Sequence, residues 1–194
     1  MFVALGVCAA VAFAGGAARA TPITYTLSGT ASGSLNGTAF TGALFGVTFV
    51  SDTANVTDVT ATIARTAIQT GVSFTVGASS GTFTDPLYVF DNREGPSAGF
   101  TRGAGDILTL GDVGFGTYNM RTGFDPTVSA TVVNNAVTAI PTSAGALTFT
   151  SVSAPAFRAV LGQSVVPEAG TLGLLGLGAS TVVCGVLRRR IRVA

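Results

Sequence analysis

The chain has 194 residues, of which 47% are hydrophobic and 10% are charged, and its formal net charge is +1. It contains no His, no Lys and no Trp, so all ten basic residues are Arg. These absences exclude Ser-His-Asp and Cys-His catalysis, imidazole metal ligands, Schiff-base chemistry and a P-loop lysine. The near-neutral charge also argues against a nucleic-acid-binding protein, which would carry a basic patch.

The first 20 residues have the pattern of a signal peptide. No charged side chain occurs in residues 1–18, and residues 2–13 are apolar throughout. That length suits the hydrophobic region of a signal peptide and is short for a membrane span. Ala18 and Ala20 form an A-x-A cleavage pattern, which predicts that residues 1–20 are removed.

Residues 21–163 are predicted to form one exported domain. This segment contains five Arg and eight acidic residues, which gives it a formal net charge of −3. Both cysteines lie outside it, because Cys8 is in the signal peptide and Cys184 is near the C-terminus. The domain therefore has no internal disulfide, and we expect core packing to stabilise it.

The same segment is predicted to be all-β. Apolar residues alternate with Thr and Ser around Tyr25, Phe49 and Phe74, and a period of two is typical of strands with one buried face. Segments 128–133 and 147–152 are rich in β-branched and aromatic residues, which also favours strands. No capped helical period occurs. The pattern predicts an antiparallel β-sandwich of the jelly-roll or immunoglobulin-like type.

Turn signals separate the predicted strands. Asn36-Gly37 is the strongest of them, because both residues tolerate the positive φ angles of a two-residue hairpin turn. Other connections contain Pro or Gly: Asp85-Pro86, Glu94-Gly95-Pro96, Asp125-Pro126 and Ile140-Pro141.

Residues 85–112 contain the acidic residues that are candidates for metal binding or catalysis. Asp91, Asn92 and Glu94 are candidate Ca²⁺ ligands, since carboxylate and amide oxygens suit that ion. The EF-hand spacing is absent, because Arg93 stands among them, and solvated loop residues are the simpler interpretation. A glycoside hydrolase would need Glu94 and an Asp as its two carboxylates. We predict no resident metal or cofactor.

Five aromatic residues lie in this region or within six residues after it. They are Tyr88, Phe90, Phe100, Phe115 and Tyr118. One interpretation is a platform on which sugar rings pack, and the other is that these residues belong to the core, as aromatics at strand spacing usually do. Sequence alone leaves both interpretations open.

Residues 164–194 end in a predicted membrane anchor. Residues 169–187 carry no charge, and as a helix they would be about 28 Å long, close to the roughly 30 Å hydrocarbon core. A cluster of Arg beside a span marks its cytoplasmic side, and the tail 188–194 supplies this cluster with Arg188, Arg189, Arg190 and Arg192. The sequence therefore predicts a transmembrane helix with the domain outside the cytoplasmic membrane.

This C-terminal arrangement resembles the PEP-CTERM sorting signal of Gram-negative bacteria that make exopolysaccharide. Val166, Pro167 and Glu168 precede the span, and Pro167 and Glu168 match the first two positions of the Pro-Glu-Pro motif. Ala169 stands in place of the second Pro. The resemblance implies that an exosortase, a membrane-embedded cysteine transpeptidase, recognises the motif and removes the tail. The start of the predicted domain, TYTLSGTASGSLNGTAF, also resembles the ectodomains attached to such tails.

Two functions are compatible with these features. The first is a non-enzymatic protein that passes through the inner membrane and is processed by an exosortase. It then joins the cell surface or an extracellular matrix of exopolysaccharide, as in a biofilm. The alternative is a secreted carbohydrate-binding or carbohydrate-active protein that uses carboxylates and aromatics of residues 85–118. We favour the first, because a domain without Cys, His, Lys or Trp has few catalytic side chains.

Overall fold

A computed structural model of the protein describes residues 20–103, 105–125, 131–135 and 138–162. The predicted signal peptide, apart from Ala20, and the predicted sorting segment with its span at 169–187 lie outside the described residues. The described ranges contain no helix that could span a membrane.

The described residues form twelve β-strands and two short 3₁₀ turns, at Thr53–Asn55 and Val113–Thr117. The strands are β1 (Pro22–Leu35), β2 (Thr38–Asp52), β3 (Val56–Asp58), β4 (Ile63–Thr66), β5 (Ser73–Val76), β6 (Ser79–Thr82), β7 (Leu87–Asn92), β8 (Ser97–Arg102), β9 (Gly105–Gly111), β10 (Thr131–Asn135), β11 (Ile140–Thr142) and β12 (Gly145–Leu161). They pair in two antiparallel sheets. Sheet 1 has the order β11-β12-β1-β2-β5-β6, and sheet 2 has the order β10-β9-β8-β7-β4-β3. The prediction of an all-β fold with antiparallel pairing is confirmed.

Strand β1 shows why these residues form sheets. Ile23, Tyr25 and Leu27 are fully buried, whereas the Thr and Ser residues between them are half-buried on the other face. A strand with this alternation can bury one face and leave the other in water. The turn that follows is the predicted one, because Asn36 and Gly37 both have positive φ angles, 51° and 80°.

The first and last strands of the domain are neighbours. β1 pairs with β12 from Ile23 opposite Leu161 to Leu35 opposite Leu147. At the end of this ladder the backbone N–H of Gly162 donates a 2.7 Å hydrogen bond to the carbonyl of Pro22. The two ends of the described domain therefore lie side by side.

One hydrophobic core joins the two sheets. Phe49 of β2 meets Phe100 of β8 edge to face, with ring centroids 6.2 Å apart. Farther along, Phe157 of β12 packs against Phe115 of the second 3₁₀ turn, with centroids 5.6 Å apart. Such aromatic pairs add to the free energy gained from burying apolar surface.

Removing one of these rings should show how strongly the core stabilises the domain. Phe49→Ala should lower the free energy of unfolding by about 3–5 kcal/mol, because it opens a cavity between the sheets. Val50→Ala, at the next residue and 58% exposed on the opposite face, should change it by less than about 0.5 kcal/mol. Urea denaturation measures both. Equal effects of the two substitutions would contradict this account of the core.

Candidate functional site

A groove of about 280 Å³ crosses the outer face of sheet 2. It extends over four neighbouring strands, β9, β8, β7 and β4, which at about 4.8 Å per strand gives a width of about 14 Å. It is lined by Val59, Ile63, Arg65, Tyr88, Phe90, Thr101 and Asp106. The groove thus brings aromatic, cationic and acidic side chains together on one surface.

The strand register places these side chains on one face. Tyr88 of β7 lies opposite Thr101 of β8, and Thr101 lies opposite Asp106 of β9. Phe90 lies opposite Arg65 of β4. Because Tyr88 and Phe90 are two residues apart on one strand, their rings point to the same side.

Tyr88 and Phe90 are half-buried, so part of each ring faces the groove. The guanidinium carbon of Arg65 lies 5.5 Å from the centre of the Tyr88 ring, within the range of a cation–π interaction. This contact holds a cation beside an aromatic surface.

Asp106 lies where β8 and β9 change register. The pairing shifts between Phe100 and Thr101, so β9 contains a bulge next to Asp106. Bulges commonly re-aim side chains near functional sites. The Oδ2 atom of Asp106 accepts a 2.8 Å hydrogen bond from the Thr109 hydroxyl, which orients the carboxylate at the edge of the groove.

The other three aromatic residues of the predicted platform belong to the core. Phe100 and Phe115 are fully buried, and Tyr118 is 4% exposed. Burial raises the pKa of Tyr118 far above its ordinary value, and the Tyr25 and Asp91 charges raise it further. The platform that the structure supports therefore consists of Tyr88 and Phe90.

The candidate Ca²⁺ ligands do not converge on one point. Asp91 is fully buried on the core face of β7. The side-chain oxygen of Asn92 accepts hydrogen bonds from the backbone N–H groups of Glu94 and Gly95, at 3.1 and 3.3 Å, and so closes the β7–β8 turn. Glu94 itself is exposed in that turn. No group of three His, Cys, Asp or Glu side chains suited to a metal occurs in the described part of the chain.

Two other acids of this region have structural partners. Asp85 forms a 3.0 Å ion pair with Arg102. Asp112 accepts a 2.7 Å hydrogen bond from the backbone N–H of Gly114 and caps the second 3₁₀ turn. These contacts give both carboxylates a role in folding.

Asp91 has a buried carboxyl group that lacks the hydrogen bonds such a group usually makes. Neither of its oxygens has a hydrogen-bond partner among the described residues. The closest cation is Arg93, whose Nε lies 4.0 Å from Oδ2. Burial raises the pKa of Asp91 to about 7, and the charge of Arg93 offsets only part of this rise. The signal for this burial was in the sequence, because Asp91 is in phase with Leu87 and Val89.

A second depression, of about 440 Å³, lies beside the β1–β2 turn. It is lined by Leu35, Asn36, Thr38, Ala39, Phe40, Val76, Ser79, Ser80 and Ala144. It contains one aromatic ring and no charged side chain. The groove on sheet 2, by contrast, has two aromatic rings and two charged side chains with which to bind a ligand.

The buried Asp91 predicts a dependence of stability on pH. An unfolded Asp loses its proton near pH 4, whereas the folded protein keeps it until about pH 7. The contribution of Asp91 to the free energy of unfolding should therefore be greatest below pH 4. Between pH 4 and pH 7 it should fall by up to about 1.4 kcal/mol per pH unit. Asp91→Asn removes this loss, so its stability advantage over the wild type should grow by roughly 2–3 kcal/mol between pH 5 and pH 8.

Urea denaturation at the two pH values measures this difference. Glu94→Gln, at an exposed position in the adjoining turn, is the matched control and should show no such growth. A constant difference between wild type and Asp91→Asn would contradict the assignment of Asp91 as a buried, proton-binding group.

Comparisons with known proteins do not indicate what this groove binds. No family model, no curated protein and no solved structure matches the chain. What the groove binds must therefore be inferred from its own side chains.

Proposed function

We propose that this protein is a non-enzymatic surface or matrix protein that is exported and then released from the inner membrane by an exosortase. The observation that carries this proposal is the order of features at the C-terminus. Val166-Pro167-Glu168 is followed by an uncharged segment, 169–187, and then by an Arg cluster. A charged residue such as Glu168 is costly to place in hydrocarbon, so it would keep the motif at the membrane surface.

The end of the described domain is compatible with cleavage at this motif. β12 ends at Leu161, and the last described hydrogen bond is donated by Gly162. Val166 lies four residues farther along. Cleavage near Val166 would therefore remove none of the strands in the described residues.

The exported domain is proposed to be a β-sandwich of the jelly-roll or immunoglobulin-like type. Its two antiparallel sheets share one core, in which Phe49 and Phe100 meet across the sheets. This packing would stabilise a domain outside the cell without a disulfide, which suits a segment that contains no Cys.

Carbohydrate binding at the groove is a second candidate function. The observation that favours it is the convergence of Tyr88, Phe90 and Asp106 on the outer face of sheet 2. The C–H face of a sugar ring packs well on an aromatic ring, and a carboxylate accepts hydrogen bonds from sugar hydroxyls. This function and the sorting proposal are compatible, because an exopolysaccharide layer would supply such a ligand.

The sorting proposal predicts the C-terminus of the mature protein. In the cells that make it, intact mass spectrometry should find a chain that ends near Val166–Glu168. Replacing Pro167 and Glu168 together by Ala should leave the tail attached, whereas Ala169→Pro, which completes the motif, should leave processing intact. A mature wild-type protein that retains Arg188–Arg190 would contradict the proposal.

The groove proposal predicts a loss of sugar binding. In a screen of polysaccharides, Tyr88→Ala should weaken binding roughly tenfold, because it removes a stacking surface. Tyr88→Phe retains the ring and should bind nearly as well. Leu44→Ala, at a residue 75% exposed on sheet 1, controls for changes elsewhere on the surface. Equal binding by Tyr88→Ala and wild type would exclude the groove as the site.

A further inference from the structure

Arg65 differs from the other arginines of sheet 2 and its neighbouring loops. Arg93, Arg102 and Arg121 form ion pairs with Asp58 or Asp85 at 3.0–3.2 Å. Arg65 forms no ion pair and donates no side-chain hydrogen bond within the described ranges.

The surroundings of Arg65 suit a ligand anion. Its guanidinium lies against the Tyr88 ring, which positions it without using its N–H donors. A guanidinium matches a carboxylate in shape and can bind it through two parallel hydrogen bonds. Arg65 therefore presents an available carboxylate-binding group inside the groove.

We propose that the groove binds glycans that contain uronic acids and that Arg65 selects them by pairing with the sugar carboxylate. This inference rests on the proposed carbohydrate binding of the groove and names its ligand class. Arg65 is then the residue that determines specificity, while Tyr88 and Phe90 supply the stacking surface.

Each chemical part of a uronic acid meets a matching side chain. The ring would pack on Phe90 and on the part of the Tyr88 ring that Arg65 leaves uncovered, and the carboxylate would reach Arg65 of β4. Asp106 lies on β9, on the other side of β7, so its negative charge repels the sugar carboxylate from that end, and its oxygens accept hydrogen bonds from sugar hydroxyls. Opposite charges at the two ends of the groove thus orient the sugar. A neutral sugar would offer no carboxylate to the Arg65 guanidinium.

General attraction to polyanions does not account for such binding. Residues 21–163 have a formal net charge of −3, and this charge repels acidic polymers. Affinity for an acidic glycan then depends on a local contact, and Arg65 is the cation that lines the groove.

Binding of the mature protein, purified from the cells that make it, to three polymers tests this inference, because the Arg cluster of the unprocessed tail would itself attract acidic polymers. The polymers are polygalacturonate, dextran as a neutral polymer, and dextran sulfate as an acidic polymer without carboxylates. Wild type should bind polygalacturonate most tightly. Arg65→Gln should weaken that binding at least about tenfold and leave dextran binding unchanged. Arg158→Gln, at an exposed Arg on sheet 1 that also has no ion pair within the described ranges, is the matched control and should have no effect.

Three results would overturn the inference. Equal binding of dextran and polygalacturonate, both lost in Tyr88→Ala, would retain carbohydrate binding but exclude selection of uronic acids. Dextran sulfate binding as tight as polygalacturonate binding, weakened equally by Arg65→Gln and Arg158→Gln, would indicate nonspecific charge attraction. Failure of the wild type to bind any of the polymers would also remove the proposed carbohydrate function. Thermal unfolding of each variant verifies that it is folded.

Discussion

The packing of two β-sheets around one apolar core is the constraint on which the rest of this molecule depends. Residues 21–163 contain no Cys, so no disulfide can hold the domain together. Aromatic contacts such as those of Phe49 with Phe100 and of Phe115 with Phe157 connect elements that are far apart in sequence. The core requires apolar residues on the strand faces that point into it. The opposite faces are therefore free to carry binding residues.

Strand β7 shows how this constraint creates the groove. Its inward residues include Val89 and Asp91, while Tyr88 and Phe90 face outward. A shift of one residue in its pairing would exchange the two faces and bury the stacking surface. The same alternation forces the carboxyl group of Asp91 into the core and raises its pKa to about 7. One strand thus carries both the aromatic rings of the groove and the buried titratable group.

The sequence predicted those parts of the structure that follow from local patterns. Alternation around Tyr25 and the Asn36-Gly37 pair correctly indicated strands and a hairpin turn, because both depend on neighbouring residues. Arg65 was not predicted as a site residue, since it is 23 positions before Tyr88 and meets it only through the pairing of β4 with β7. Likewise, Asp91 and Asn92 are adjacent in sequence, yet strand geometry sends their side chains to opposite faces. The alternation along β7 displays the second of these effects, whereas the long-range pairing of β4 with β7 is not displayed by a single sequence.

The central claim is that an exosortase releases the domain from the membrane to the cell surface or matrix. It is tested most directly by locating the protein in cells with and without their exosortase. The account predicts that loss of the enzyme traps the protein in the inner-membrane fraction with Arg188–Arg190 still attached, while the normal cells release it. Equal release of the protein from both kinds of cell would contradict the account.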